Sequence, residues 1–337
     1  MNKSNVISGY LYPHIFYISI FHKMKKGIVV ILIIIIIFSI VSFFPITQNS
    51  TINISATFDN TVLQIVQIEN WKNWYPEIKE AYKSNPADYN FKKDSSNKID
   101  TISIPGKKFI IHILTPMSYT INEVGNHMEN NFAFTVFPGE AKNKMKIFLV
   151  NRYPLIFTLF NINKAGEKAL NGFKNYMETP EEFYGFDIKM AEIRDPIIAS
   201  FVIKIKEKDI FHQIQISLTD LMNYLNTNKL IKTGHISISY IPLQGDSLQI
   251  TVGIPVDKVA APADGISCLS LPAKGRVLVG NYEGKFSDRR KIYNEMTKYL
   301  TDHALSIPAE SFERYLNDLI PTSDSSEIKI ELDYPVY

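Results

Sequence analysis

The chain has a single cysteine, Cys268, in 337 residues. No internal disulfide can staple it, and the lone thiol is expected as a small core residue. It also lacks an excess of charge. Thirty-six Lys and Arg stand against 34 Asp and Glu, for a formal net charge of +2. That balance offers no general footing on nucleic acid, and no basic recognition helix is present, so direct DNA reading is excluded. Catalytic signatures are missing as well: no Gly-x-Ser-x-Gly elbow, no His-Glu-x-x-His helix, no phosphate-cradling glycine loop and no dinucleotide fingerprint. His112 and His127 have no Cys, His or Asp partners at metal spacing and read as ordinary strand or turn residues. No metal and no cofactor are implied.

What is present begins with an apolar run, "GIVVILIIIIIFSIVSFFPI" (27–46), about twenty residues without a charge, roughly what a helix needs to cross the hydrocarbon layer. Lys23, Lys25 and Lys26 precede it, and Asp59 is the first charge after it. The positive-inside bias then puts the N-terminus in the cytoplasm and the rest of the chain outside. A cleaved signal peptide is the competing reading, but no small-x-small site follows "SFFPITQNS". The sequence thus predicts an anchor over 24–48. Residues 1–23 are expected to be unstructured, or not translated if Met24 is the true start.

From Thr51 the texture is that of folded protein. "TINISATF" alternates as a half-buried strand, and "DNTVLQIVQIENWKNWYP" follows with helical spacing behind a capping Asp59 or Asn60. "KIDTISIP", "KKFIIHILTP", "SYTINEVGN", "ENNFAFTVFP" and "NKMKIFLVNRYP" read as an antiparallel meander. "KAGEKALNGFKNYMET" sets Ala165, Ala169, Leu170, Phe173, Tyr176 and Met177 on one helical face. In this order, and in the stretch "ENWKNWYPEI" with Asn70, Trp71, Trp74 and Pro76, residues 51–186 resemble the START-like polyketide cyclase superfamily, SRPBCC. The resemblance implies a helix-grip antiparallel sheet with a long C-terminal helix and a cavity for apolar small molecules. Trp71 and Trp74 are then candidate ligand contacts, against the plainer reading of core plugs.

The remainder, 187–337, carries an internal repeat. "NYLNTNKLIKTGHISISYI" (223–241) overlays "KYLTDHALSIPAESFERYL" (298–316) without a gap, at a shift of 75 (298 minus 223). "GIPV" and "DYPV" correspond at a shift of 80 (333 minus 253), which implies a longer second hairpin turn. A strand, "IIASFVIKI" or "GRVLVGNYEG", stands ahead of each helix. Each copy, about 195–256 and 273–337, is thus expected to be βαββ, the pair related by a pseudo-twofold axis with a groove at the join. The overall class is α+β, with one N-terminal transmembrane helix. "GNYEG", "ESFERYLND" and the paired "IPV" and "YPV" endings resemble the GyrI-like effector-binding domain of AraC-type and multidrug-sensing regulators. Asn281 departs from the Gly-Pro-Tyr-Glu reading of many relatives.

Strand alternation sends Ser311, Glu313 and Tyr315 to the side where the first copy has Ile236, Ile238 and Tyr240. An ionised carboxylate at an apolar place must be protonated, paired, or waiting in a cavity for a cationic or hydrogen-bonding guest. The plain alternative is an ion pair on an open sheet face, for which Arg314 is unsuited because it projects to the opposite side. The resemblance implies that Glu313 and Tyr315 line a small-molecule pocket. Tyr282 and Tyr240 are candidate aromatic walls, and Glu283 is a weaker candidate that could instead cap the following helix. Asn317 and Asp318 are expected to shape a turn.

These observations predict a membrane-anchored, outward-facing binding protein for a small organic ligand of cationic, aromatic or lipid-like character, with no nucleic-acid partner. The alternative is a hydrolase of reactive small molecules working through Glu313 and Tyr315.

Overall fold

The computed structural model describes residues 28–41, 44–94, 96, 98–125, 129–141, 143–155, 164–272 and 274–337. His127 and the segment 1–23 lie outside them. By internal contacts the chain divides into two compact units, one of residues up to 52 with 80–136 and 147–170, the other of 53–79, 137–146 and 171–337.

Helix α1 covers 28–41, and its Ile, Val, Leu and Phe side chains are exposed throughout. Among the described residues no helix is long and apolar enough to cross a membrane. The anchor expected over 24–48 also ends early, because strand β1 begins at Pro45 and runs to Ile54. Proline suits that boundary: it has no N–H to give a helix interior and sits well at the first residue of a strand.

The first unit is built on a seven-stranded sheet. Strands β2 (Asn90–Lys92), β3 (Ile99–Ile104), β4 (Lys107–Thr115), β5 (Ser118–Gly125) and β6 (Glu129–Pro138) form an antiparallel meander. β7 (Met145–Pro154) then pairs between β6 and β1, giving the order β1-β7-β6-β5-β4-β3-β2. Period-two burial places Phe109 and Ile111, Tyr119 and Ile121, and Phe132 and Phe134 on one face.

In the second unit, α2 (Phe58–Val66) is capped by Thr57, whose Oγ1 accepts from Asn60 N at 3.4 Å; neither Asp59 nor Asn60 is the cap. A 3-10 turn leads into α3 (Trp71–Trp74), followed by α4 (Pro76–Ser84). The amphipathic helix expected from "KAGEKALNGFKNYMET" is α5 (Ala165–Glu178), of which only 171–178 belong to this unit, with Ala169, Leu170, Phe173, Tyr176 and Met177 buried. It is followed by the single turn α6 (Pro180–Phe183).

The rest of that unit is the duplicated half. Strand β8 (Ile188–Glu192) is followed by β9 (Ile197–Lys206), α7 (Ile210–Thr227), β10 (Ser237–Pro242) and β11 (Ser247–Pro255). Strand β12 (Ile266–Ser270) is likewise followed by β13 (Arg276–Lys285), α8 (Arg290–Asp302), β14 (Phe312–Tyr315) and β15 (Glu327–Pro335). All eight strands join in one sheet of order β12-β9-β11-β10-β14-β15-β13-β8. The two copies mirror each other about the β10–β14 seam.

The expected βαββ unit was one strand short. β8, which leads into the first copy, pairs with β13 of the second, and β12 pairs with β9 of the first. Each copy therefore lends its leading strand to the other's edge. Asn281 explains its departure from proline here. Its N–H donates to Asp187 O at 3.2 Å and its Nδ2 to Asp187 Oδ2 at 2.8 Å, and proline could supply neither.

Candidate functional site

The shift between copies is 79 from β9 to β13 (276 minus 197) and 75 from β10 to β14 (312 minus 237). The missing four residues are close to one helical turn, so α8 is shorter than α7 while presenting the same face. Two 3-10 turns, Glu207–Asp209 and Phe286–Asp288, keep the 79 shift up to the helices. Carried one residue on, Arg289 stands where the first copy has Ile210, and one turn later Tyr293 stands where it has Ile214. Both isoleucines are core residues. With Ile238 matched to Glu313, three isoleucines of one copy become arginine, tyrosine and glutamate in the other.

Those three residues meet. Glu313 is 0% exposed, on the sheet face that carries the helices. Its Oε1 accepts from Arg289 Nε at 2.9 Å and from Tyr293 OH at 2.9 Å, and its Oε2 accepts from Tyr315 OH at 2.6 Å. Tyr315 OH lies 3.0 Å from Tyr240 OH. The Arg289 guanidinium is 3.4 Å from the Phe286 ring centroid and 5.0 Å from that of Tyr240, and its Nη1 donates to Phe286 O at 3.0 Å. Gly280 admits the helix that carries Tyr293, since a Cβ there would lie 2.7 Å from Met296 Sδ.

Burial pushes the Glu313 carboxyl up from its ordinary value, while Arg289 and the hydroxyls of Tyr315 and Tyr293 pull it back. Burial raises the Tyr293 and Tyr315 phenols well above theirs, reinforced by the Glu313 charge. Both phenols therefore serve as neutral donors to the carboxylate. Arg289 is desolvated but held cationic by Glu313.

A cavity of about 710 Å³ opens beside this cluster, lined by Phe211, Tyr240, Leu248, Phe286, Arg289 and Tyr293 among others. Of the predicted residues only Tyr240 lines it. Glu313 and Tyr315 sit behind Arg289 and Tyr293, so the carboxylate is paired and covered rather than waiting for a guest. Water or substrate would have to displace donors already on both oxygens before Glu313 could act as a base.

The other candidates lie elsewhere. Tyr282 OH donates to Lys285 O at 2.7 Å, away from the cavity. Glu283 is a strand residue with an exposed side chain, 2.9 Å from Lys329 Nζ, and caps no helix. Trp71 and Trp74 are buried, Trp71 stacked on Tyr75 and Trp74 in edge contact with Phe173, and give their indole N–H groups to Ile65 O and Gln64 O. Neither has a polar atom left for a ligand. Asp318, in left-handed backbone at φ 54°, accepts from Ile236 N at 3.1 Å and pairs with Lys232, while Asn317 Oδ1 accepts from Leu319 N at 3.2 Å. Both shape the turn as expected. Cys268 is half-buried, accepting from Ala260 N at 3.4 Å. Arg289 was missed. The signal was available in "SDRRKIYNE", where the repeat sets a cation over an isoleucine one strand from the odd glutamate.

The opposite sheet face carries a second cluster. Arg314 pairs there with Glu331 (3.2 Å) and with Asp333, which is 0% exposed and has no bond on Oδ1. Among the described residues no group of three or more His, Cys, Asp or Glu could hold a metal ion.

No protein-family model and no curated protein matches the sequence. Among solved structures, the chain is similar to the EcmrR C-terminal domain, with 15% identity, 45% of this chain and 98% of that one covered, and a TM-score of 0.36. It is also similar to SAV2435 bound to tetraphenylphosphonium (14%, 45% and 94%, TM-score 0.30). A START superfamily protein from Mycobacterium smegmatis is similar too (10%, 39% and 97%, TM-score 0.29). At these scores the likeness carries no functional inference.

Proposed function

We propose that the chain is a membrane-tethered, outward-facing binding protein for a small organic molecule, held in the cavity between the two copies of the repeat. The observation that carries this reading is the 710 Å³ hollow with Phe211, Phe286, Tyr240, Tyr293 and Arg289 on its walls. Apolar and aromatic surface with a few convergent polar groups is the usual make-up of a ligand site of this size. The tether is supported by the uncharged run 27–46 with its three preceding lysines and by the exposed apolar surface of α1. The outward orientation rests on the lysine bias alone.

The test is a thermal-shift screen of the full chain in detergent against aromatic, ionic and lipid-like compounds, since a ligand bound to the native state raises its melting temperature. Leu248→Trp puts an indole into the cavity and should reduce the shift of a compound held there. Shifts that this substitution leaves unchanged, or no shift with any compound, would remove the reading.

A further inference from the structure

We infer that Arg289 is a resident counter-ion that sets the sign of the ligand: the cavity takes aromatic anions and refuses cations. The inference rests on the cavity being a ligand site, and goes further by assigning the ligand's charge.

A buried carboxylate floor, three phenolic hydroxyls and the faces of Phe286 and Tyr240 make a cage suited to a cation. The cage is full. Arg289 Nε is 2.9 Å from Glu313, its guanidinium lies against Phe286 and Tyr240, and its Nη1 holds Phe286 O. A soluble cation would have to displace a group that the chain itself keeps at the site, and competition against a tethered occupant is set by a high effective concentration. It would also leave the guanidinium to find other partners.

What Arg289 offers the cavity is the reverse chemistry. Of its five N–H groups, the described bonds use Nε and one on Nη1, leaving three donors on a side chain that lines the hollow. Lys208 and Arg290 add positive charge at the wall, with Glu207 already 3.7 Å from Arg290 and Asp324 as the remaining acid. Planar carboxylates suit guanidinium geometry, and the neighbouring rings suit an aromatic body. The first copy has isoleucine at all three equivalent places, so the asymmetry between copies gives this half its charge chemistry.

A matched series tests the assignment: 2-naphthoate, trimethyl(2-naphthyl)ammonium and neutral 2-naphthamide, titrated calorimetrically into the full chain in detergent against a detergent blank. The expected result is 2-naphthoate tighter than the ammonium by at least about tenfold, with the order inverted in Arg289→Ala. If Arg289→Ala does not fold, the neutral pair Arg289→Met with Glu313→Gln should bring the two ions within about threefold of each other. A wild-type chain that prefers the ammonium or fails to discriminate overturns the inference, as does a variant that keeps the anion preference. Naphthamide binding with the wrong ion order sinks this inference alone. Silence from all three probes overturns this inference, and the binding function falls with it only if the thermal-shift screen is silent too.

Discussion

Ile238 and Glu313 are cross-strand partners at the seam where β10 meets β14, and each also occupies the other's place in the repeat. The pseudo-twofold axis therefore passes between them. A symmetric ancestor would have placed like against like at this point, so the axis is where a single substitution changes both copies' surroundings at once. The carboxylate is accommodated because Arg289 and Tyr293 of its own copy both donate to it.

That linkage predicts non-additive energetics. Arg289→Ile alone leaves Glu313 buried without its cation and should cost about 3–5 kcal/mol in urea denaturation of the full chain. Replacing both residues by isoleucine removes the unpaired buried charge and should recover most of that loss, stopping short of wild type because Tyr293 then loses its acceptor. Two single losses that simply add would show that the residues do not act as a pair.

The opposite sheet face supplies a pH dependence. Burial lifts the Asp333 carboxyl from its ordinary 3.8 to about 7, with Glu331 reinforcing the rise and Arg314 and Arg194 opposing it. A carboxyl whose folded pKa stands above its unfolded value binds its proton more tightly in the native state. Its contribution is complete below about pH 4 and is lost as pH rises to about 7, of order 2–4 kcal/mol. Asp333→Asn should flatten the profile and raise the melting temperature at pH 8. Retention of the slope in that variant would place its origin in another group.

Much of the scaffold was legible because its signals are local and periodic. Alternation marks β3 to β7, helical spacing marks α5, and the gapless match of 223–241 to 298–316 announces the duplication. β8 and β12 were illegible: each has five residues with no sustained alternation, and each is a strand only through pairing with the other copy. Glu313 stood out because its twin is apolar. Its partner stood out less, since Arg289 falls on Ile210 only when the 79 shift of the strands, and not the 75 of the gapless match, is carried to the helix start. The early end of the apolar run was written in Pro45, whose strand assignment depends on β7, about a hundred residues away in sequence.

Glu283, weighed as a pocket acid, should be dispensable. It sits in an exposed pair with Lys329, side chains 72% and 54% accessible, and pairs of this kind contribute about 0–1 kcal/mol. Glu283→Gln should leave both melting temperature and ligand titrations unchanged. A loss of binding would mean that the ligand reaches the outer end of β13.

The joint between α3 and α5 offers a sharper test, because the chain has two tryptophans and both are there. A Cβ on Gly172 would stand 2.7 Å from Trp74 O and 2.8 Å from Pro76 Cγ, and a backbone oxygen and a proline ring cannot rotate away. α5 must therefore back off, loosening the edge contact of Phe173 on Trp74, whose ring centroids are 4.9 Å apart. Gly172→Ala gains helix propensity, about 1 kcal/mol in an open helix. The overpacking penalty of about 1–3 kcal/mol opposes it and should win. The expected result is a lower melting temperature with tryptophan emission shifted to the red as the indoles meet water. Since no other residue contributes to that emission, an unchanged spectrum with an unchanged melting temperature would show that α5 does not need glycine to seat against the Trp74–Pro76 turn.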